Sequence, residues 1–220
     1  MEAAIFDYDG TLVHLNIDFG VMRQDVEASL GEYGIAPEDL KGLYILEMID
    51  EATGRISKES RSQGLTFYRK SHEIVIQHEL AATKEGKILP GVVQMLQLLQ
   101  ERGVKVGVIT RNCDKAVKMV FPHIERLCDV YIPRDRISRV KPHPEHLCLA
   151  LEKLGVENAS HCLMVGDHVL DVEGGKRMGM KTAGVLTGKT TRQQFTEAGA
   201  DLILDDATQV LDHIFGGRRP

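Results

Sequence analysis

Short apolar segments alternate with longer segments of helical periodicity along most of the chain. The apolar segments lie beside Gly, Pro or Asp, a pattern that is typical of buried strands. They cover residues 3–6, 104–109, 129–132, 162–165 and 181–186. Helical patterns begin after Arg111 and cover about 144–154 and 169–178. Because strands that alternate with helices imply right-handed crossovers, the sequence predicts an α/β fold with a doubly wound parallel sheet.

A long interval between the first two predicted strands interrupts this alternation. Within it, apolar residues recur at helical spacing from Phe19 to Tyr33, around Leu40, and from Leu65 through Tyr68 to Glu79. Residues that often interrupt helices separate these segments, namely Gly34, Pro37 and Gly54. The interval therefore predicts a small bundle of helices.

The interruption defines two predicted domains. Residues 1–14 and 86–220 would form the α/β core, and residues 15–85 would form an inserted helical domain. A helix that begins after Pro90-Gly91 would lead the chain back into the sheet. We expect the terminal GGRRP to be a frayed tail.

The composition is that of an ordinary globular protein. Of the 220 residues, 43% are hydrophobic and 27% are charged, and the formal net charge is −5. No apolar run approaches the roughly 18 residues that a membrane-spanning helix needs, so no membrane partner is expected. The acidic balance argues against a nucleic-acid partner, because such proteins need clustered Lys and Arg. Because no basic segment leads into an apolar stretch near the N-terminus, we expect a cytoplasmic protein.

Polar residues follow three of the predicted strands. In open α/β sheets, ligands bind beyond the carboxyl ends of the strands, near the point where the strand order reverses. The loop before the third crossover helix adds Lys141 to these strand ends. The strand ends themselves carry Asp7, Asp9, Thr110, Arg111, Asn112, Asp167 and Asp171.

Several of these residues also have an ordinary structural explanation. Asp9-Gly10 is a common turn dipeptide, and Thr110 could cap the helix that follows it. Lys141 could lie on the surface, as most lysines do. Asp171 could be a first-turn acid that the helix dipole favours.

A metal site explains the pair Asp7 and Asp9 better than a turn alone. Neighbouring like charges raise the pKa of one group unless a cation or a proton resolves the repulsion. Asp167 adds a third carboxylate, and Mg²⁺ prefers a few oxygen ligands. The sequence therefore predicts a magnesium site at these strand ends.

Four motifs, in their order and spacing, resemble the signature of the haloacid dehalogenase-like phosphohydrolases. They are DYDGT at 7–11, ITRN at 109–112, Lys141-Pro142 and GDHVLD at 166–171. The helical insertion after the first motif resembles the mobile cap of that superfamily, so the resemblance spans nearly the whole chain. It implies a Rossmann-like core, a helical cap and a Mg²⁺-dependent phosphatase. Chain length and cap are most similar to those of phosphoglycolate phosphatase-like members.

The resemblance also implies a role for each motif residue. Asp7 would be the nucleophile that becomes an aspartyl-phosphate, and Asp9 the general acid and then the general base. Mg²⁺ would be bound by the side chains of Asp7 and Asp167 and by the backbone carbonyl of Asp9. Thr110 would donate its hydroxyl to the phosphoryl oxygens, and Lys141 would neutralise the negative charge of nucleophile and substrate.

The remaining motif residues would support this site. Asp171 would bind a water molecule that is coordinated to Mg²⁺, or it would orient Lys141. Gly10 would make the turn that directs the Asp7 and Asp9 carboxylates toward the phosphate. The motifs are completed by Thr11 and Gly166.

Residues outside the shared motifs would select the substrate. Arg111 and Asn112 follow Thr110 and are candidate substrate contacts, although Arg111 could also face solvent. In the insertion, Arg55 and Lys58 are expected between helices, where either would suit a second anionic group. A solvated charged face is the ordinary alternative for both.

Three functions are compatible with this resemblance. The first is hydrolysis of a small phosphorylated metabolite, with phosphoglycolate as a candidate, by a monomer or a homodimer. The second is phosphoryl transfer between hydroxyls of a sugar phosphate, as in phosphoglucomutase-like relatives. The third is a regulatory protein without turnover. Dehalogenation is disfavoured, because dehalogenases of this superfamily lack the acid that Asp9 provides.

Two further patterns carry no predicted function. AGVLTGKT at 183–190 is one residue short of a phosphate-binding P-loop. His143 and His146 lack the helical spacing of a zinc-protease motif, and both are expected on the surface.

Overall fold

The computed structural model describes residues 1–216, and the chain divides into two compact units. One unit consists of Met1–Leu15 and the chain from Glu85 onward, and the other of Asn16–Lys84. Of the expected GGRRP tail, residues 217–220 lie outside the described part of the chain.

The first unit contains a parallel sheet of six strands. Its order is β5-β4-β1-β6-β7-β8, so the chain winds outward from β1 in both directions. The predicted doubly wound parallel sheet is confirmed. The strands of this sheet are β1 (Ala3–Phe6), β4 (Lys105–Ile109), β5 (Val130–Ile132), β6 (Cys162–Gly166), β7 (Lys181–Val185) and β8 (Leu202–Leu204).

Helices of the first unit cover the sheet. Leu147 and Leu151 of α6 (Pro144–Lys153), and Leu154 just after it, share a buried apolar cluster with Ile5 of β1 and Met164 of β6. Among the helices of residues 1–216, none combines the length and apolar character that crossing a membrane requires. The α-helices of the first unit are α4 (Val92–Glu101), α5 (Asp114–Val120), α6 (Pro144–Lys153), α7 (Val169–Arg177), α8 (Arg192–Ala198) and α9 (Val210–Phe215). Those of the second unit are α1 (Phe19–Ala28), α2 (Ile45–Glu59) and α3 (Arg61–Ala82).

A short antiparallel pair of strands lies next to the two points at which the chain passes from one unit to the other. β2 (Val13–His14) pairs with β3 (Lys87–Ile88), so His14 lies opposite Lys87. The apolar pattern did not predict this pair, because strands of two residues carry no periodicity. It also missed β8, a short edge strand that is half-exposed at Leu202 and Ile203.

The second unit is helical, and α2 within it corrects one prediction. Gly54 was expected to separate two helices, yet it lies inside α2 (Ile45–Glu59). Arg55 and Lys58 consequently lie within this helix and not between helices. A glycine in a helix interior costs only about 1 kcal/mol, and burial of a continuous apolar face exceeds this cost. That face consists of Leu46, Met48, Ile49, Ala52 and Ile56.

The apolar face of α3 was predicted only in part. Val75 and Glu79 are buried as the pattern required, but Leu65 is 51% exposed and Tyr68 is 39% exposed. The buried side of the helix runs instead through Gly64, Phe67, Ser71, Val75, Glu79 and Ala82. A Cβ on Gly64 would overlap the hydroxyl of Ser57, so a glycine permits the close approach of α2 and α3.

Candidate active site

The central strands of the sheet bring three motif residues to one edge. Asp7 follows β1, Thr110 follows β4 and Asp167 follows β6, and β1 lies between the other two strands. Phe6 of β1 is in register with Val108 of β4 and with Val165 of β6. The residues after these strands therefore project from adjacent carboxyl ends, on both sides of the point where the strand order reverses.

A buried lysine joins two of the carboxylates. Lys141 Nζ lies 2.5 Å from Asp7 Oδ1 and 2.6 Å from Asp171 Oδ1. Burial alone would lower the pKa of Lys141, but the charges of Asp171 and Asp7 outweigh this effect and raise it. Lys141 is 5% exposed, so its alternative interpretation as a surface lysine is wrong. A permanent cation is thus fixed beside the Asp7 carboxylate.

Asp171 positions this lysine from the first turn of α7. Its Oδ2 accepts a hydrogen bond from the His168 backbone N–H at 3.2 Å, while Oδ1 faces Lys141 Nζ. Burial raises the pKa of Asp171, although Lys141 and the bond from His168 oppose the rise. Asp171 is therefore a first-turn acid and a partner of Lys141 at the same time.

Asp9 lies in a tight turn beside this ion pair. Its Oδ1 accepts a hydrogen bond from the Leu15 backbone N–H at 2.9 Å. Burial raises the pKa of Asp9 to about 7, the bond from Leu15 lowers it, and the charge of Asp7 adds to the rise. Gly10 makes the turn with φ of 78°, a left-handed conformation that favours glycine. Thr11 is fully buried, and its hydroxyl has no hydrogen-bond partner among residues 1–216.

Three carboxylates form a cluster that fits a hard cation. Oxygen atoms of Asp7, Asp167 and Asp171 all lie within 4.8 Å of one another. Burial raises the pKa of Asp167, and the charges of Asp7 and Asp171 raise it further. A divalent cation with oxygen preference would relieve this repulsion, so the donor set suits Mg²⁺. The Asp9 side chain is outside this cluster, and the ligand expected from Asp9 is its backbone carbonyl.

Thr110 is fixed by its neighbours at the end of β4. Its backbone N–H donates to the carbonyl of Ile132 at 3.2 Å, and its hydroxyl donates to Asn112 Oδ1 at 3.0 Å. The same hydroxyl accepts from the Asn112 N–H at 3.1 Å, and the N-cap residue of α5 is Cys113. Thr110 therefore does not cap the helix, and its hydroxyl is oriented locally by Asn112.

The side chain of Arg111 contacts protein backbone in this structure. Its guanidinium donates to the backbone carbonyl of Lys141, and Arg111 is half-buried. Arg134, which is 8% exposed, donates from Nη1 to the Arg111 carbonyl at 2.6 Å. The two guanidinium groups thus support the backbone around Thr110 and Lys141.

The loop after β7, for which the sequence predicted no function, also packs against the site. The Thr187 hydroxyl donates to the backbone carbonyl of Gly10. A Cβ on Gly188 would overlap the Asp167 carboxylate, so Gly188 permits Asp167 to lie against this loop. This loop contains the near-match to a P-loop, and two of its residues lie against Gly10 and Asp167 of the first and last motifs.

Of the two histidines expected on the surface, one was predicted wrongly. His143 is half-buried and accepts the Glu145 N–H at the start of α6. His146 is fully buried, and its ring forms hydrogen bonds with backbone groups of Lys141 and Ile132. Such partners remove the cost of burying a polar ring, which a spacing pattern cannot reveal.

In the helical unit, the two candidate substrate contacts lie on α2. Arg55 Nε lies 2.8 Å from Glu51 Oε1, one helical turn away, and both side chains are exposed. Lys58 is exposed near the end of the same helix.

Comparison with known proteins identifies the family. The family model described as haloacid dehalogenase-like hydrolase matches residues 4–185. The chain is 28% identical to an N-acetylmuramic acid 6-phosphate phosphatase of Pseudomonas aeruginosa, over 96% of this chain and 94% of that protein. It is 30% identical to the pyrophosphatase PpaX of Bacillus pumilus, over 84% of this chain and 83% of the relative.

A solved structure agrees with this assignment at the level of the fold. The β-phosphoglucomutase of Clostridium difficile superposes with a TM-score of 0.64 at 20% identity, covering 98% of this chain and 96% of that one. The sequence-based identification as a phosphatase of this superfamily is confirmed. The chain belongs to the haloacid dehalogenase-like hydrolases.

Proposed function

We propose that this protein is a Mg²⁺-dependent phosphatase that hydrolyses a small phosphorylated metabolite through a phospho-aspartyl intermediate on Asp7. The observation that carries the proposal is the position of Lys141, whose ammonium lies 2.5 Å from Asp7 beside the cluster formed with Asp167 and Asp171. An anionic nucleophile can approach an anionic phosphoryl group only where fixed positive charge offsets the repulsion.

In the first step, the Asp7 carboxylate attacks phosphorus. A bond forms between an Asp7 oxygen and phosphorus, and the bond from phosphorus to the leaving oxygen breaks. Asp9 gives its proton to that oxygen, so an alcohol departs. A pKa of about 7 leaves a large fraction of Asp9 protonated at neutral pH, as this role requires.

In the second step, water releases the phosphate. Asp9, now a carboxylate, takes a proton from the water as its oxygen bonds to phosphorus. The bond between phosphorus and Asp7 breaks, which returns Asp7 to its carboxylate form and yields inorganic phosphate. One carboxyl group thus serves both steps, because its pKa lies near the working pH.

The surrounding residues bind and orient the phosphoryl group. Lys141 and the Thr110 hydroxyl would contact its oxygens, and Asp171 holds Lys141 in place. Mg²⁺ held by Asp7, Asp167 and the Asp9 carbonyl would neutralise charge on nucleophile and substrate.

Substrate choice is assigned to the helical unit, because the motif residues contact only the phosphoryl group that all substrates share. Arg55 and Lys58 remain the candidate contacts for a second anionic group. Phosphoglycolate is the first substrate to test, and the names of the relatives add N-acetylmuramic acid 6-phosphate and pyrophosphate. A cytoplasmic location and a monomer or homodimer stay predictions.

A substrate panel tests the proposal and its alternatives. These three compounds and β-glucose 1-phosphate are incubated with enzyme and Mg²⁺, and free phosphate and sugar products are measured. Release of phosphate is the expected result. Conversion of β-glucose 1-phosphate to glucose 6-phosphate without free phosphate would instead indicate a mutase. No reaction with any compound, or with a generic aryl phosphate, would favour a regulatory protein.

Removal of divalent cations is expected to stop turnover. Three clustered carboxylates beside a fourth at Asp9 repel an anionic substrate unless a cation is bound. Hydrolysis of p-nitrophenyl phosphate should therefore fall to background in excess EDTA and return when Mg²⁺ is added in excess of the chelator. Undiminished hydrolysis in EDTA would contradict the proposed metal dependence.

A Gly188→Ala variant is expected to lose activity by about 10- to 100-fold, because displacement of reacting groups by about 1 Å has effects of this size. The new methyl group would overlap the Asp167 carboxylate and displace a proposed metal ligand. Initial rates should be measured over a range of Mg²⁺ concentrations, where we expect a higher Mg²⁺ requirement.

The matched control for this variant is Gly31→Ala. Gly31 is exposed, and a Cβ there would have no neighbour within 4 Å. The control should retain wild-type rates. Equal rates in both variants would show that Asp167 does not need its present position.

A further inference from the structure

His146 connects two residues of the phosphate site through backbone hydrogen bonds. The backbone N–H of Lys141 lies 3.2 Å from His146 Nδ1, and the Ile132 carbonyl lies 3.0 Å from Nε2. A backbone N–H can only donate, so Nδ1 accepts. Nε2 therefore carries the ring proton and donates to the carbonyl, which fixes one neutral tautomer.

The same carbonyl also holds Thr110. Ile132 is the last residue of β5, and its oxygen accepts from the Thr110 backbone N–H at 3.2 Å. The Ile132 oxygen thus receives one hydrogen bond from Thr110 and one from His146. A continuous path of three hydrogen bonds therefore links Thr110, Ile132, His146 and Lys141.

We propose that His146 is a positioning residue for phosphate binding: its neutral imidazole sets the distance between the backbones of Thr110 and Lys141. The Thr110 hydroxyl and the Lys141 ammonium can then contact the same phosphoryl group. This inference rests on the proposed function, because it assigns both groups to phosphate.

The environment of His146 suits a ring that stays neutral. It is fully buried on α6, and burial lowers its pKa to about 4. Lys141 and Arg111 oppose a positive ring, whereas Asp7 favours one. Protonation at Nδ1 would convert the acceptor into a donor that faces the Lys141 N–H, so the path requires the neutral form.

Both backbone polar groups of Lys141, its N–H and its carbonyl, form hydrogen bonds with side chains. His146 accepts its N–H, and the guanidinium of Arg111 donates to its carbonyl. Because Arg111 remains in place, loss of the ring is expected to displace Lys141 without unfolding the loop. The expected defect is therefore one of phosphate binding and turnover.

The test compares His146→Phe with His146→Asn. Phe keeps a planar aromatic ring, slightly larger than imidazole, and removes both hydrogen bonds, whereas the Asn carbonyl oxygen can still accept the Lys141 N–H. For His146→Phe we expect a kcat about 10-fold lower and a competitive inhibition constant for inorganic phosphate about 10-fold higher, the scale of one lost hydrogen bond. In His146→Asn, both the decrease in kcat and the increase in the inhibition constant should be smaller than in His146→Phe.

His161→Phe provides the control, because the His161 side chain is 62% exposed. It should match the wild type in rate and phosphate inhibition. If His146→Phe lowers only the melting temperature, with kcat and phosphate inhibition unchanged, His146 has a structural role and the proposal is overturned. Equal defects in the Phe and Asn variants would also contradict it, because the Lys141 N–H would then be irrelevant.

A measurement without turnover separates this inference from the proposed function. Imidazole nitrogen chemical shifts of the wild type should show the Nε2–H tautomer and no titration between about pH 5.5 and 8. Calorimetric binding of inorganic phosphate with Mg²⁺ should weaken in His146→Phe. If the wild type binds phosphate without hydrolysing any ester, the proposed function fails while the positioning role stands. If it shows the Nδ1–H tautomer or binds no phosphate, the positioning role fails.

Discussion

An Asp7→Asn variant is expected to lose hydrolysis of p-nitrophenyl phosphate by about 10³-fold or more, as is usual when a nucleophile is removed. The amide is a poor nucleophile and cannot form the acyl phosphate. Folding should be retained, because Lys141 keeps its ion pair with Asp171 at 2.6 Å. The substitution also removes one of three clustered carboxylates and so reduces the repulsion among them. The loss would therefore report on chemistry and not on unfolding.

Two measurements define the result. Steady-state release of p-nitrophenol gives the rate, and acid quenching after a brief reaction with a ³²P-labelled substrate traps any phospho-enzyme. The wild type should carry label that hydroxylamine removes, as expected for an acyl phosphate, and Asp7→Asn should carry none. Asp212→Asn, at an exposed position of α9, is the matched control and should behave as the wild type. Turnover at the wild-type rate in Asp7→Asn would rule out the proposed intermediate.

The proximity of Asp7, Thr110 and Asp167 in the candidate site could be predicted, because these residues follow strands that the sequence encodes locally. The apolar run before Asp7 is long enough to identify β1, and the runs before Thr110 and Asp167 identify β4 and β6. Parallel pairing then brings the three strand ends together, so proximity follows from topology.

Features that depend on contacts between distant segments could not be predicted in the same way. Nothing near His146 in the sequence indicates that its partners are Lys141 and the end of β5. Likewise, the contact of Gly188 with Asp167 arises only when β7 pairs with β6. The prediction at Gly54 was wrong for a different reason. A glycine locally indicates a helix break, but burial of the continuous apolar face of α2 outweighs this preference.

A Lys141→Met variant is expected to lose both activity and stability. Activity should fall by about 10²- to 10³-fold, because a fixed charge beside the reacting group is removed. The free energy of unfolding should fall by about 3–5 kcal/mol at neutral pH, since Asp7 and Asp171 would remain buried without their cation. Kinetics and urea unfolding at pH 7.5 measure the two effects separately.

The loss of stability in Lys141→Met should depend on pH with a defined sign. Burial already raises the pKa of Asp171 in the folded state, and without the ammonium this pKa rises further above its unfolded value. Groups with a raised folded pKa favour the folded state at low pH and destabilise it as the pH rises through that pKa. The difference in stability from the wild type should therefore shrink between pH 7.5 and pH 5. A difference that grows toward pH 5 would contradict this electrostatic account.

A double variant separates the electrostatic contribution to stability from the catalytic one. Adding Asp171→Asn to Lys141→Met removes one of the two unpaired charges, so part of the lost stability should return at pH 7.5. Activity should not return, because the phosphoryl group still lacks the ammonium beside Asp7. Lys105→Met is the control, since that side chain is 42% exposed and pairs loosely with Glu2 at 3.6 Å. If the double variant regained activity together with stability, Lys141 would be a structural residue, and positive charge at this position would not be required for the reaction.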